Sequence, residues 1–262
     1  AHMNIPVAHI QGGEVTGSID ESIRHAMSKF SHIHFPATEL SKKRLIRMGE
    51  DPKNVYVVGC PSIDVIINTP TLQVEVLEKY FKINFKKPIL LMIQHPVTTE
   101  AEDSFFQIKA TVDAINEMRI QTVALLPNND AGFSKIINYI KESGIKWYPS
   151  LSTDIFVNLY RNVNALIGNS SSGIHETPTM KIPAINIGNR QQGRERSFNV
   201  IDVPHDKKLI IKAIDKSIND KNFIEKLKNL KNPYGNGDSA QKIVNILKSL
   251  SLNNIIQKKF ID

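Results

Sequence analysis

Three consecutive serines stand where an apolar stretch gives way to a helical pattern, in Ile167-Gly168-Asn169-Ser170-Ser171-Ser172-Gly173-Ile174-His175-Glu176. An unhindered, hydroxyl-rich turn at the start of a helix presents backbone N–H groups, hydroxyl donors and the positive end of the helix dipole. Such groups bind phosphate. A serine-capped helix in an ordinary α/β fold explains the segment equally well when it is taken alone.

A second loop favours the phosphate interpretation. The apolar run Ala184–Ile187 is followed by Gly188–Arg196, a glycine-flanked loop that contains Arg190, Arg194 and Arg196. Two polar loops at the ends of consecutive strands predict two walls of one site for an anionic ligand.

The segment His9–His25 brings together the richest set of titratable groups in the chain. It holds the pair Gly12-Gly13, several acids, an arginine and two histidines. Asp20 and Arg24 are four residues apart and share one face of a predicted helix. A capped helix with an ion pair is the alternative, but the density of titratable groups beside the glycines predicts a catalytic loop.

Two shorter motifs also follow apolar runs. His95 lies in Gln94–Thr98, and Asn128 lies in Pro127–Gly132. A structural histidine and an ordinary turn would explain them singly. Because ligands of parallel sheets bind outside the carboxyl ends of the strands, we expect the His95 imidazole to stand over that edge.

Apolar runs alternate with helical patterns along most of the chain, which predicts an α/β fold with a parallel sheet. The predicted strands are Ile5–Ile10, His32–Ala37, Val55–Val58, Pro88–Ile93, Thr122–Leu126, Ile145–Tyr148, Ala165–Ile167, Ala184–Ile187 and Asn199–Val203. A change of character near residue 71 predicts two domains, 1–71 and 72–262. The first has too few strands for a doubly wound sheet, so we expect the chain to start partway through a domain.

Composition excludes several classes of protein. The chain is 41% hydrophobic and 23% charged, with no apolar run near the ~20 residues that span a bilayer, so no membrane contact is expected. The single cysteine, Cys60, excludes an intramolecular disulfide and fits a reducing, cytoplasmic compartment. We expect Cys60 to be a small buried residue.

The net charge of +7 comes largely from scattered lysines without interleaved aromatic residues, so no nucleic-acid partner is predicted. No histidine or cysteine cluster has metal-ligand spacing, and the glycine-rich fingerprints of P-loop and dinucleotide-binding proteins are missing. The sequence therefore predicts neither a metal nor an organic cofactor.

Together these motifs resemble the hydrolysing UDP-N-acetylglucosamine 2-epimerases, specifically the branch that makes N-acetylmannosamine for sialic and related nonulosonic acids. The segments that carry the resemblance occur in the family's order: His9–His25, Gly59–Ser62, Gln94–Thr99, Pro127–Gly132, Gly168–Glu176 and Ile185–Glu195. The resemblance implies two Rossmann-like domains of the glycosyltransferase-B type. Residues 1–71 would be the C-terminal remainder of the first, incomplete domain, and 72–262 the UDP-binding domain with C-terminal helices.

The resemblance also implies a reaction and its residues. The family removes the proton at C2 of the sugar, expels UDP by anti elimination and hydrates the resulting glycal, without a metal or cofactor. The UDP part would contact His95, Asn128, Phe156, Ser170, Ser171, Glu176 and Arg190, with the serines at the diphosphate, Glu176 at the ribose and Phe156 at the base. The implied catalytic residues are Gln11, Glu14, Asp20, Arg24 and His95. A UDP-sugar substrate and a homodimer are the implied partners.

Two departures from the family matter. The catalytic glutamate of its His-Ile-Glu-Gly-Gly motif is Gln11 here, and a neutral amide cannot act as a carboxylate acid or base. Either Glu14 or Asp20 covers the role, or Gln11 reflects an altered substrate or an engineered substitution. The family's N-terminal segment, with another catalytic aspartate, is absent, which puts the activity of this chain alone in question.

Alternatives therefore stay open. A glycosyltransferase of the same fold would use the same diphosphate and ribose contacts. A non-catalytic UDP-sugar-binding module would tolerate Gln11. The sugar itself is either N-acetylglucosamine or a 2,4-diacetamido-6-deoxy analogue.

Overall fold

A computed structural model of the chain describes residues 2–253 and 255–261. Within them the chain forms two compact units. Unit 1 comprises Ala1–Asn68, Gln192–Glu195 and Asn232–Asp262, as far as these are described, and unit 2 comprises Thr69–Gln191 and Arg196–Lys231.

The strands are β1 (Ala8–Ile10), β2 (Ile33–Phe35), β3 (Ile89–Ile93), β4 (Gln121–Leu125), β5 (Lys146–Tyr148), β6 (Ala165–Gly168), β7 (Ala184–Ile187) and β8 (Val200–Val203). The α-helices are α1 (Asp20–Phe30), α2 (Glu39–Arg47), α3 (Pro61–Asn68), α4 (Val74–Phe81), α5 (Ser104–Met118), α6 (Phe133–Glu142), α7 (Thr153–Asn162), α8 (Ser172–His175), α9 (Thr177–Met180), α10 (Lys207–Asn219), α11 (Lys221–Leu227) and α12 (Ser239–Ser249). Short 3₁₀ helices cover Pro52–Asn54 and Thr98–Asp103.

Unit 2 is built on a six-stranded sheet in the order β5-β4-β3-β6-β7-β8, in which every pairing is parallel. Its central strands are continuous apolar runs because they are covered on both faces. In β3, Leu90 and Met92 pack with residues of α5, α6 and α10, whereas Leu91 and Ile93 pack with residues of α4 and α7. The alternation of side chains along the strand thus fixes which helices cover each face.

Unit 1 contains a smaller parallel pair, β1 with β2. Its core joins Ile33 and Phe35 of β2 to Val58 and to Ile243 of α12. The α12 helix starts against α3, because the Asp64 carboxylate accepts hydrogen bonds from the N–H groups of Ser239 (3.0 Å) and Ala240 (2.7 Å). This cap accounts for one difference from the predicted division at residue 71: α12 lies in unit 1, whereas the other C-terminal helices, α10 and α11, lie in unit 2.

The predicted α/β class with a parallel sheet is confirmed. The strand predicted over Val55–Val58 is only partly formed. Val55 makes an isolated parallel bridge with His34, and the N–H groups of Tyr56 and Val58 donate to the carbonyl oxygens of His34 (2.9 Å) and Pro36 (3.1 Å). The first strand is shorter than predicted and begins at Ala8. Among the described residues, no helix has the length and apolar character needed to cross a bilayer.

Gly168 ends β6 in a conformation that other residues rarely adopt. Its φ is +133°, and a Cβ atom built on it would lie 2.1 Å from the carbonyl oxygen of Ile93. The close approach of β6 and β3 at this point therefore requires glycine.

We predict that Gly168→Ala lowers the free energy of unfolding by at least about 2 kcal/mol, because the clash and the backbone strain add. Gly144→Ala is the matched control: Gly144 also has a positive φ (+79°), but no atom lies within 4 Å of the added Cβ. Its loss should be about 1 kcal/mol. Equal losses for both variants in urea unfolding would contradict the clash.

Candidate functional site

The site in unit 2 lies where the sheet changes direction. From β3 the chain proceeds outward to β4 and β5, and then returns to place β6 on the other side of β3. The connections after β3 and β6 therefore lead to different neighbouring strands, and ligands of such sheets usually bind at this point, outside the carboxyl ends of the strands. His95 follows β3, and the three serines follow β6.

The serine turn, residues 168–172, offers unused main-chain donors. Ser170 accepts hydrogen bonds from Gly173 N–H through its carbonyl oxygen (3.1 Å) and from Ser172 N–H through Oγ (3.3 Å). Within the described part of the chain, no acceptor takes up the N–H groups of Ser170 and Ser171. Two adjacent N–H groups and the Ser171 hydroxyl form an anion-binding concavity.

The helical pattern that follows the serines predicts a single helix over Ile174–Lys181, but the structure breaks this segment in two. The helices α8 and α9 have four residues each and meet at Glu176, whose φ and ψ are −105° and −40°. Pro178 has no N–H to continue the ladder. A single turn carries little cooperative dipole, so anion binding at this turn depends on local N–H and hydroxyl groups.

Asn169 connects the loops at the carboxyl ends of the strands. It is 1% exposed, its Oδ1 accepts from His95 N–H (2.7 Å), and its Nδ2 donates to His95 O (2.8 Å). Its own carbonyl oxygen accepts from Arg190 Nη1 (3.2 Å) and Gln191 Nε2 (2.8 Å). Asn169 thus holds the loops after β3, β6 and β7 together. This role was not predicted, because the bridge joins residues 74 positions apart in the sequence.

His95 stands beside Asn128, with Nδ1 3.0 Å from Asn128 Oδ1 and 3.4 Å from Asn128 N. Asn128 Nδ2 in turn donates to Asp130 (2.8 Å). Burial, and then the positive charge of Arg190, lower the pKa of His95 from 6.5 to about 4. The imidazole is therefore neutral at pH 7. Because the Asn128 amide donates to Asp130 through Nδ2, its Oδ1 is the acceptor that faces His95, which favours the tautomer with the proton on Nδ1.

Tyr160 connects Phe156 and Glu176 to the serine turn. The rings of Phe156 and Tyr160 lie 5.4 Å apart, and Tyr160 donates its hydroxyl to Ser172 O (2.9 Å). Tyr160 is fully buried, and this burial, together with the negative charge of Glu176, raises its pKa. Tyr160 is a second positioning residue that the sequence analysis did not identify.

Only one arginine of the Gly188–Arg196 loop lies beside His95. Arg190 contacts Asn169, whereas Arg194 forms an ion pair with Glu14 and Arg196 one with Asp202 (2.9 and 2.5 Å). The expected wall of three arginines therefore has one arginine placed beside the serine turn and two engaged in ion pairs.

In unit 1 the other predicted residues lie in the segment from the end of β1 to the start of α1, here called the loop 9–20, and at Arg24 within α1. Gln11 has a positive φ of +64°, and its Nε2 donates to the Sγ of Cys60 (2.8 Å). Such a backbone conformation is uncommon outside glycine and clusters at functional sites. Cys60 is buried, as predicted.

The carboxylates of this loop differ in their surroundings. Glu14 is 4% exposed and paired with Arg194, whereas Asp20 is exposed and accepts only from Ser18 Oγ (3.2 Å) within the described residues. Arg24 Nη1 donates to Glu14 O (3.3 Å), and burial, followed by the charge of Arg194, lowers its pKa. Among residues 2–253 and 255–261, no group of three or more His, Cys, Asp or Glu side chains is placed to hold a metal ion.

A family model described as UDP-N-acetylglucosamine 2-epimerase matches residues 1–248. The chain belongs to this family. It is 37% identical to UDP-N,N'-diacetylbacillosamine 2-epimerase (hydrolyzing) of Legionella pneumophila, over 98% of this chain and 68% of that protein. It is 38% identical to GDP/UDP-N,N'-diacetylbacillosamine 2-epimerase (hydrolyzing) of Campylobacter jejuni, over 99% of this chain and 69% of that protein.

Solved epimerase structures share the fold. The UDP-GlcNAc 2-epimerase of Neisseria meningitidis, bound to UDP-GlcNAc, superposes with a TM-score of 0.80 at 22% identity, covering 95% of this chain and 71% of that one. The Methanocaldococcus jannaschii enzyme, in complex with UDP-GlcNAc and UDP, has a TM-score of 0.74 at 21% identity, covering 94% of this chain and 70% of that one. The predicted glycosyltransferase-B type of fold is confirmed.

We predict that the NMR titration midpoint of His95 lies near pH 4 and rises in Arg190→Gln, because this substitution removes a nearby positive charge. Since the folded-state pKa is lowered, His95 favours the folded state fully above pH 6.5, and this contribution is lost as the pH falls toward 4. Arg196→Gln is the control and should leave the midpoint unchanged. An unchanged midpoint in Arg190→Gln would show that the two groups do not interact.

Proposed function

We propose that unit 2 binds the UDP part of a nucleotide sugar. The observation that carries this proposal is the set of donors around Asn169: the N–H groups of Ser170 and Ser171, the Ser171 hydroxyl and the Arg190 guanidinium. Converging donors and one cation suit a diphosphate, whose charge is spread over several oxygens. Glu176 would accept from the ribose hydroxyls, Phe156 would stack on the base, and Asn128 would orient His95.

We further propose that the protein is a hydrolysing 2-epimerase. The C2 proton of the sugar is removed, the C1–O bond to UDP breaks by anti elimination, and water adds to the resulting glycal to give the free manno-configured sugar. The diphosphate leaves as an anion, and the donors of the serine turn stabilise the charge that develops on it. The names of the relatives in Legionella and Campylobacter support this reaction.

Residues of the loop 9–20 would act on the sugar. Gln11 can hydrogen-bond a hydroxyl but cannot exchange a proton as a carboxylate does. Asp20 is the exposed carboxylate of this loop and the better proton acceptor of the two acids, since Glu14 is buried against Arg194. Arg24 would hold the loop in place through its hydrogen bond to the Glu14 carbonyl oxygen, and it would also contact the sugar.

For the sugar we propose a 2,4-diacetamido-6-deoxy hexose in preference to N-acetylglucosamine. The relatives named for diacetylbacillosamine are 37% and 38% identical to this chain, whereas the UDP-N-acetylglucosamine 2-epimerase of Neisseria meningitidis is 31% identical. Turnover of both UDP-sugars by the full-length protein, compared by kcat/KM, tests this choice. We also propose that the protein is a homodimer and that it lies in the cytoplasm.

Gln11 supports a second candidate, a UDP-sugar-binding protein that does not turn its ligand over. Turnover of the full-length protein in heavy water separates the two. Deuterium at C2 of a free sugar product supports the epimerase, and bound, unchanged UDP-sugar supports the binding protein. Glycoside formation on an acceptor would instead indicate a glycosyltransferase.

We predict that Ser171→Ala combined with Arg190→Ala weakens binding of UDP by at least about tenfold and leaves that of uridine nearly unchanged, because both side chains face the diphosphate. Isothermal titration calorimetry with each ligand measures the difference. Arg119→Ala, which removes an exposed arginine of unit 2 at the end of α5, is the control and should preserve both affinities. Equal losses for UDP and uridine would mean that these side chains do not contact the diphosphate.

A further inference from the structure

The loop between Gly188 and Arg196, here called the crossing loop, belongs to both units. Gln191 and Arg196 are part of unit 2, whereas the four residues between them, Gln192–Glu195, are part of unit 1. The chain thus passes from unit 2, which holds the serine turn, into unit 1, which holds the loop 9–20, and returns to unit 2 at Arg196.

The unit 2 ends of the crossing loop are fixed. Gly188 N–H donates to Val203 O (2.9 Å), and the buried Gln191 side chain donates to Asn169 O (2.8 Å). Arg196 is held by Asp202 (2.5 Å) and donates to Gln191 O. These contacts attach the loop to the same asparagine that supports the serine turn.

The middle of the crossing loop is fixed within unit 1. Arg194 Nη2 lies 2.9 Å from Glu14 Oε2, with side chains 9% and 4% exposed. Tyr234 donates its hydroxyl to Glu195 O (2.7 Å). Gly193 has a φ of +79°, and a Cβ on it would lie 3.1 Å from the Val15 side chain. The loop 9–20 and the crossing loop are therefore held to each other by a desolvated ion pair and close packing.

A buried carboxylate in an ion pair is a poor general base. Taking up the sugar proton would leave the Arg194 charge buried without its counter-charge, which is strongly unfavourable. Glu14 is instead suited to hold the loop 9–20 in place, because a guanidinium and a carboxylate pair in a defined orientation.

We propose that Glu14 and Arg194 are a positioning pair, which orders the loop 9–20 when a diphosphate is bound at Arg190. The proposal rests on the UDP site proposed above. Arg190 and Arg194 are four residues apart, so their Cα atoms can never be more than about 14 Å apart, whatever the arrangement of the two units. Fixing Arg190 on a ligand therefore restricts Arg194, and through the ion pair it restricts the loop that carries Gln11 and Asp20.

Hydrogen exchange measured by mass spectrometry on this chain, with and without saturating UDP, tests the proposal. UDP should slow exchange in peptides of the serine turn by direct contact, and in peptides covering residues 11–18 through the ion pair, each by about tenfold. In Arg194→Gln the protection of the serine turn should remain, and that of residues 11–18 should fall below about twofold.

Glu50→Gln is the matched control. Glu50 is a fully buried carboxylate of unit 1 that pairs with Lys29 (2.8 Å) and His34 (2.9 Å). This variant removes the Lys29 ion pair and alters the His34 hydrogen bond of a buried carboxylate in the same unit, but it should keep both protections. A loss of protection at residues 11–18 in this variant as well would reduce the effect to general destabilisation and overturn the proposal.

A second variant covers the case in which Arg194→Gln does not fold. Two glycines inserted after the exposed Gln192 keep the ion pair and lengthen the tether by about 7 Å. Protection at residues 11–18 should be lost again, with the serine turn still protected. Protection that persists at residues 11–18 in either variant, or that is missing there in the unmodified chain, overturns the positioning pair. Missing protection of the serine turn would instead refute the UDP site itself.

Discussion

The site in unit 2 depends on the side-chain amide of Asn169. Parallel neighbours such as β3 and β6 are hydrogen-bonded along their length, but beyond their last pairing nothing in the sheet fixes the loops that follow. Asn169 fixes the residues just beyond the last pairing. Its side chain bridges the main chain of His95, and its main-chain carbonyl oxygen accepts from Arg190 and Gln191. The amide is buried, so these bonds do not compete with water.

This arrangement also sets the electrostatics. Arg190 and His95 are both half-buried, and a positive charge on each would be repulsive. Burial, and then the charge of Arg190, keep the imidazole neutral at pH 7. Under the proposed function, the neutral imidazole adds no second positive charge that would retain the departing diphosphate.

Much of the fold and part of the site could be predicted from the sequence, and the physical reasons differ. The sheet strands of unit 2 are apolar on both faces, and the pattern reveals them directly. The loop motifs lie at the carboxyl ends of the strands, as predicted, because polar residues directly after a buried strand are excluded from the core. Asn169 and Tyr160 were missed because their roles are contacts between residues distant in sequence, which no local pattern encodes. The break at Glu176 was not predicted, because the apolar spacing continues past it. The ion pairs of Arg194 and Arg196 were not predicted either, because they depend on the positions of Glu14 and Asp202.

The unused N–H groups of Ser170 and Ser171 have a consequence for how this site tolerates change. A donor that belongs to the main chain is present whatever side chain is attached, so the anion cradle survives substitutions that would abolish a cradle made of side chains. The glycine before it is the exception, since it sets the path of the backbone itself. Substitutions of surrounding side chains such as Ser171 and Arg190 therefore leave the main-chain donors in place, whereas a change at Gly168 would displace the donors themselves.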